Sequence, residues 1–366
     1  MPNATRAAQP GPTRMRREIG QIPAVVARVL SEAPHDLRAV AAAVRVARPR
    51  FAVIAARGTS DHAANYAQYL MEIHLGLPTG LAKPSITTIY QRPLRWRGGL
   101  LLAISQSGES PDIVAVVAAA RAAGALTVAI TNHPDSPLGE TAEHVLPCRA
   151  GRELAVPATK TYVAQLVMVA ALVEAIKPST DLAHGLASLP GVLRATLRAT
   201  DRWLAGDDGA RSSPGPAAVA AFARANRALV VSRGYNLATA LELALKFKET
   251  CGLFAEAYST ADFAHGPVVL ARPRIPILAI RPDGPMGALV DETLEQTGAR
   301  GGLPVVIGGA EARDHDGALA LLFDLPEALT PIVFAVPGQL LVEATARRRG
   351  ISPDAPAGLG KVTRTR

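Results

Sequence analysis

Cysteine is nearly absent from this chain. Its 366 residues include two, Cys148 and Cys251, far apart and outside any CxxC pair, so neither a disulfide framework nor a cysteine-bound zinc is indicated. Aromatic residues are scarce as well, 4% against 49% hydrophobic. A core built mainly from Ala, Val, Leu and Ile suits helices packed on parallel strands better than an all-β sandwich. The histidines make no HExxH spacing, so no metal is expected, and the missing GxGxxG argues against a dinucleotide; no cofactor is expected. No uninterrupted apolar run of about 18 residues occurs. The Ala-rich IVAVVAAARAAGALTVAI is broken by Arg121 and Gly124. Residues 1–14, MPNATRAAQPGPTR, lack the apolar segment of a signal peptide and read as a disordered leader. A cytoplasmic protein with no membrane partner is the expectation.

Charge is tilted rather than extreme. Lys and Arg number 39 against 31 Asp and Glu, a net +8, with much of the surplus in TRMRR, ARRRG and KVTRTR. That balance suits an anionic small substrate. Nothing resembles an aromatic-interleaved basic patch or a DNA-reading helix, so no nucleic-acid partner is expected.

The length suggests two domains. Short β-rich runs fall at 51–56, 101–105, 126–131 and weakly at 144–147, with helical patterns between them. A helical stretch over 158–204 leads into AGDDGARSSPGP, a Gly, Ser and Pro linker over 205–216. The alternation then restarts, with strand candidates at 228–232, 253–257, 276–280, 304–308 and 320–323. FAVIAARGTSDHAANYAQYLME at 51 and ALVVSRGYNLATALELALKFKE at 228 share one plan: strand, Arg-Gly, polar turn, helix. The spacing predicts an α/β protein of two tandem doubly wound domains with parallel sheets flanked by helices, spanning 15–204 and 217–340, followed by a tail over 341–366.

Ligands of such sheets bind beyond the carboxyl ends of the strands. There the sequence reads AISQSGESPD, in which Ser105, Gln106, Ser107 and Ser110 surround Gly108 ahead of a helix. Hydroxyl donors, a glycine permitting close approach and a helix N-terminus together favour a phosphomonoester. Helix capping would use one serine, and the loop offers three. RGTSDH at 57–62 adds Thr59 and Ser60. The second repeat has IRPDGPM at the corresponding place and lacks the hydroxyls, so one half is expected to hold the phosphate.

Glu242, Lys246 and Glu249 fall within an arc of ~60° on a helix. In isolation such a stripe reads as a solvated surface with an i,i+4 pair. Its place behind the second Arg-Gly turn argues instead for a carboxylate that takes a proton from carbon and returns it. His265, in a turn before Gly-Pro, would ordinarily be structural, and Lys361 would ordinarily be a solvated tail charge.

Taken together, RGTSDHAANYAQYLME, ISQSGESPD, AGRELAVPATKT, ALELALKFKETCGLFAEAYSTADFAHGP and VPGQLLVEATARRRGISPDAPAGLGKVT resemble the tandem sugar isomerase (SIS) family. The likeness is to the isomerase half of glucosamine-6-phosphate synthase and to stand-alone glucosamine-6-phosphate deaminases. It implies that Ser60, Ser105, Gln106, Ser107 and Ser110 surround a substrate phosphate. It implies Glu249 as the base moving a proton between C1 and C2, supported by Glu242 and Lys246. His265 would open the sugar ring from the partner subunit of a homodimer, and Lys361 would form a Schiff base with the ketose. Two departures stand out: VPATK replaces the family's VASTK, removing a hydroxyl at Ala158, and LGKVT replaces LAKSVT.

The resemblance implies an enzyme acting on a sugar phosphate, with glucosamine 6-phosphate and water giving fructose 6-phosphate and ammonia as the first expectation. Another phosphosugar isomerase, or an ammonia-dependent synthase, is the alternative. A non-catalytic sugar-phosphate sensor is the alternative of a different class. The synthase proper draws ammonia from glutamine with an N-terminal cysteine; here Met1 is followed by Pro2 and the first cysteine is Cys148.

Overall fold

The structure, a computed structural model, describes residues 11–206 and 214–361. Two five-stranded sheets, parallel throughout, organise it. The first holds β1 (Phe51–Ala56), β2 (Thr79–Leu81), β3 (Gly99–Ser105), β4 (Leu126–Thr131) and β5 (His144–Pro147), in the order β2-β1-β3-β4-β5. The second holds β6 (Arg227–Ser232), β7 (Phe254–Ser259), β8 (Pro276–Arg281), β9 (Leu303–Gly308) and β10 (Leu319–Ala320), in the order β10-β9-β8-β6-β7. In each, the first strand lies between the second and the third. The duplication seen in the sequence is therefore one winding order used twice, and β3 and β8 are equivalent central strands. Both are buried at every residue, as unbroken apolar runs in doubly covered parallel sheets should be.

The two Arg-Gly turns have the same physical cause. Gly58 and Gly234 follow β1 and β6 with φ of 54° and 61°, left-handed values that side chains resist. Each turn swings the chain into a helix that runs back over its sheet, Thr59–Leu70 in one repeat and Leu237–Cys251 in the other.

The two halves share a core. One apolar cluster runs from Met15 through Ile54 and Leu102 in the first repeat to Val230, Leu278 and Leu341 in the second. Helices Lys160–Ile176, Leu237–Cys251 and Thr330–Arg348 pack in this shared layer. Smaller clusters line each sheet's other face, around Ile113 and Val117 in one half and Val290 and Leu294 in the other. The stretch Glu327–Arg348 is long and apolar enough to cross a membrane, yet 94% of its most apolar window is buried inside the protein.

Several boundaries differ from the sequence expectation. β2 was not anticipated, because three residues carry too little pattern, and the last strand is Leu319–Ala320 rather than 320–323. The helical stretch over 158–204 is two helices. Lys177 is extended ahead of Pro178, as residues before proline tend to be, and Ser179 caps the next helix, Thr180–Ala205, by accepting from the Leu182 amide. Of the expected linker, residues 207–213 lie outside the described residues, as do 1–10 of the expected leader and 362–366 of the tail. Position 341, where the tail was expected to begin, lies inside helix Thr330–Arg348.

Candidate active site

The hydroxyl loop follows β3, and its serines are set as donors by the bonds they accept. Ser105 Oγ accepts from the Gly108 amide at 3.1 Å, and Ser107 Oγ accepts from the Glu109 amide at 3.3 Å. Ser60 Oγ, at the first turn of helix Thr59–Leu70, accepts from Gln165 Nε2 at 3.0 Å. Each hydroxyl oxygen is thus engaged by the protein, which leaves its hydrogen to point elsewhere. Ser110 is the N-cap of helix Pro111–Ala122 and makes no side-chain cap bond there. Capping therefore does not account for its hydroxyl.

Gly108 is required by the loop twice over. Its φ is 68°, and a Cβ there would sit 1.9 Å from Ser136 Oγ. Behind the loop, Arg57 binds the fully buried Asp112 through both Nε and Nη2, each 2.8 Å from Oδ2. This pair ties the β1 turn to the helix that begins the cradle. Neither residue stood out in the sequence, although both lie within the segments singled out there.

A cleft of about 500 Å³ opens beside the loop, lined by Gln106, Ser107, His133, Arg152, Glu153 and Lys361 among others. Lys361 reaches it because the chain after helix Thr330–Arg348 folds back over the first repeat. Asp354 accepts from the Arg14 and Met15 amides and, through its carbonyl, from the Val156 amide. Lys361 Nζ then docks 2.9 Å from Glu153 Oε2 and 2.7 Å from the Ala155 carbonyl. The Glu153 side chain has no solvent exposure. Burial pushes its carboxyl up, but the Lys361 ammonium and donors from Thr161 and Thr159 outweigh this and hold it below the usual glutamate range.

The charged stripe on helix Leu237–Cys251 is not solvated. Glu242 is fully buried, Lys246 is 1% exposed and Glu249 is 25% exposed. Lys246 Nζ lies 2.5 Å from Glu249 Oε2, 3.0 Å from Thr59 Oγ1 and 3.4 Å from Glu242 Oε1. Burial would lower the Lys246 ammonium, but the two carboxylates outweigh it and raise it above the ordinary lysine value. Thr59 donates to Glu242 Oε1 at 3.2 Å, and His62 Nδ1 lies 2.8 Å from Glu242 Oε2. The second repeat's charged helix thus meets the first turn of the helix that carries Ser60. Such a carboxylate, one quarter exposed with an ammonium against it, can exchange a proton with a bound molecule.

His265 stands apart from these groups. It is exposed, at the end of the short helix Thr260–Ala264, with the exposed Val269 and Leu270 close behind it in the chain. In the second repeat the position equivalent to Ser105 is Arg281, at the end of β8. Its guanidinium is taken up by Asp291 at 2.8 Å and Glu311 at 2.9 Å. Acidic side chains fill the place that hydroxyls occupy in the first repeat, so an anion would meet carboxylates there. Sequence reasoning missed Glu153, Gln165 and His62. Each has a partner distant in sequence, Lys361 for Glu153, Ser60 for Gln165 and Glu242 for His62.

The SIS domain family matches the chain over residues 47–175 and 221–336. The glutamine–fructose-6-phosphate aminotransferase (isomerizing) of Zymomonas mobilis is 32% identical over 367 residues, covering 95% of this chain and 58% of that protein. Its counterpart in Methanothermobacter thermautotrophicus is 33% identical, over 95% of this chain and 56% of that one. The chain spans a little over half the length of these relatives. Among solved structures, a candidate phosphosugar isomerase from Silicibacter pomeroyi DSS-3 is 36% identical, with a TM-score of 0.81 over 94% of this chain and 100% of that one. Glucosamine-6-phosphate deaminase from Thermotoga maritima, at 18% identity, shares the fold with a TM-score of 0.75 over 96% of this chain and 100% of that one.

Proposed function

This chain belongs to the SIS domain family, and from that premise we propose that it is an amino-sugar phosphate deaminase, converting glucosamine 6-phosphate and water to fructose 6-phosphate and ammonia. One observation carries the reading: Glu242 and Lys246, beside the part-exposed Glu249, meet Thr59, one residue from a serine of the hydroxyl cradle. A base and a phosphate anchor then come from opposite repeats and face one substrate.

The steps follow from the chemistry. The phosphate sits on the hydroxyls of Ser60, Ser105, Ser107 and Ser110 with Gln106, at the N-terminus of helix Pro111–Ala122. His265, contributed by the partner subunit of a homodimer, opens the ring. Its exposure beside Val269 and Leu270, 61% and 40% exposed, supports burial of this turn against a second copy. Glu249 takes the proton from C2, leaving an enolamine, and returns it to C1, leaving a ketimine at C2. Water adds to C2 and ammonia departs. Lys361, at the wall of the cleft beside Gln106 and Ser107, supplies the amine that would hold the ketose as a Schiff base.

The direction has its own support. Ammonia itself is mostly protonated near neutral pH, whereas water is always at hand. A coupled assay for ammonia and fructose 6-phosphate with glucosamine 6-phosphate tests the reading, alongside galactosamine 6-phosphate and fructosamine 6-phosphate. Ammonia release without glutamine is the expected result. The Silicibacter relative favours a second reading, isomerisation of a phosphosugar without an amine, which would appear as aldose–ketose exchange with no ammonia. Tight sugar-phosphate binding with no turnover would refute both and leave a sensor.

A further inference from the structure

Glu242 is the more deeply placed of the two carboxylates flanking Lys246, yet it has the weaker hold on that ammonium. Lys246 lies 2.5 Å from Glu249 and 3.4 Å from Glu242. A buried carboxylate needs its lone pairs filled. Glu242 meets that need from the other repeat, taking the Thr59 hydroxyl on Oε1 and His62 Nδ1 on Oε2, the latter at 2.8 Å. Because a carboxylate oxygen accepts, Nδ1 is the donating nitrogen of the ring.

We propose that His62 is a positioning residue for the base: its Nδ1–H occupies Glu242 so that Lys246 stays against Glu249. The inference rests on reading Glu249 as the group that moves the C2 proton. Glu242 and Glu249 compete for the Lys246 ammonium. Without His62, Glu242 Oε2 would lose its 2.8 Å donor, and Lys246, already 3.4 Å from Oε1, is the charged donor beside that carboxylate. Drawing Lys246 toward Glu242 draws it away from Glu249. Thr59 and His62 stand three residues apart on one helix turn and so share a face. That turn also carries Ser60, which couples the geometry of the base to the element holding the phosphate.

The role depends on a donor at one position, which separates it from packing. Asparagine places an amide nitrogen near where Nδ1 lies, glutamine extends its amide toward the Nε2 position, and leucine fills the space without donating. With glucosamine 6-phosphate as the probe, His62→Leu should lower kcat and C2 deuterium exchange by on the order of 10- to 100-fold, the scale for groups that orient a reacting site. KM should stay within about twofold, because the hydroxyl loop is untouched. His62→Asn should recover most of the loss, and His62→Gln should behave like leucine. Unchanged kcat in His62→Leu, a rise in KM alone, or failure of His62→Asn to rescue would overturn the proposal. A second measurement needs no turnover: the His62 Nδ1 proton should give a slowly exchanging downfield NMR signal in the wild type that is lost in Glu242→Gln. Its absence in the wild type would also overturn the proposal. A wild type that shows the signal but exchanges no C2 proton in any sugar phosphate would instead sink the functional reading.

Discussion

Replacing Gly108 with alanine separates two costs that the structure makes distinct. The first is conformational: at φ 68° an L side chain crowds its own carbonyl, at about 1–2 kcal/mol. The second is contact, because the new Cβ would overlap Ser136 Oγ at 1.9 Å and Ser136 Cβ at 2.6 Å. Ser136 is itself an N-cap, accepting from the Gly139 amide, and displacing it forfeits about 1 kcal/mol more. Gly108→Ala should therefore destabilise the protein by about 2–3 kcal/mol. Gly76 supplies the control, since it has a similar φ of 64° in the left-handed region and nothing within 4 Å of its would-be Cβ. Gly76→Ala should carry only the conformational part. Urea unfolding of both variants measures the difference, and calorimetric titration with fructose 6-phosphate should show weakened binding in Gly108→Ala, whose cradle must shift. Equal destabilisation by the two substitutions would mean that the Ser136 contact is relieved without cost and that the loop is not held in the shape described.

Other expectations concern the same region. Ser105→Ala with Ser107→Ala should weaken sugar-phosphate binding by on the order of 100- to 10,000-fold, since each charge-assisted hydrogen bond contributes roughly 1.5–3 kcal/mol; unchanged affinity by titration would remove these hydroxyls from the cradle. Glu249→Gln should keep affinity while turnover falls by ~100-fold or more, and undiminished C2 exchange in that variant would assign the proton to another group. Glu153 is held below the ordinary glutamate value of 4.5, so its stabilising contribution is complete above that pH and is lost as the pH falls below it toward the folded-state value. Glu153→Gln should accordingly flatten the acid limb of the stability curve, followed by urea midpoints between pH 6 and pH 3 (about neutral to acid); an unchanged slope would show that Lys361 and the threonines do not hold the carboxylate ionised.

The parts of the molecule that announce themselves in sequence are those whose cause is local. β3 shows as an apolar run, the cradle shows as hydroxyls crowded around a glycine, and both Arg-Gly turns show because left-handed backbone selects glycine. Helical periodicity places Glu242, Lys246 and Glu249 on one face. It does not say whether that face meets water, and burial against Thr59 is decided by a helix far earlier in the chain. His62 lies in a segment that sequence alone had already marked, but its partner is 180 residues away. Glu153 sits in a stretch whose local pattern gives no hint of Lys361. Short strands fail for another reason: β2 has three residues and β10 has two, too few for a period to register.

The pairing of Lys361 with Glu153 sets a timetable for synthesis. The two residues are separated by 208 positions, and a ribosome adding roughly 5–20 residues per second needs on the order of 10–40 seconds to cover that distance. The first repeat emerges with its hydroxyl loop long before the lysine that walls the cleft exists. Helix Arg14–Gly20 waits longer still, across 340 positions, for Asp354, whose carboxylate binds its first amides. A nascent chain in that interval has the serines of the loop but neither the stripe of Leu237–Cys251 nor the Lys361 amine. On the function proposed above, the hydroxyl loop would be synthesised well before the base and the amine that the reaction calls on.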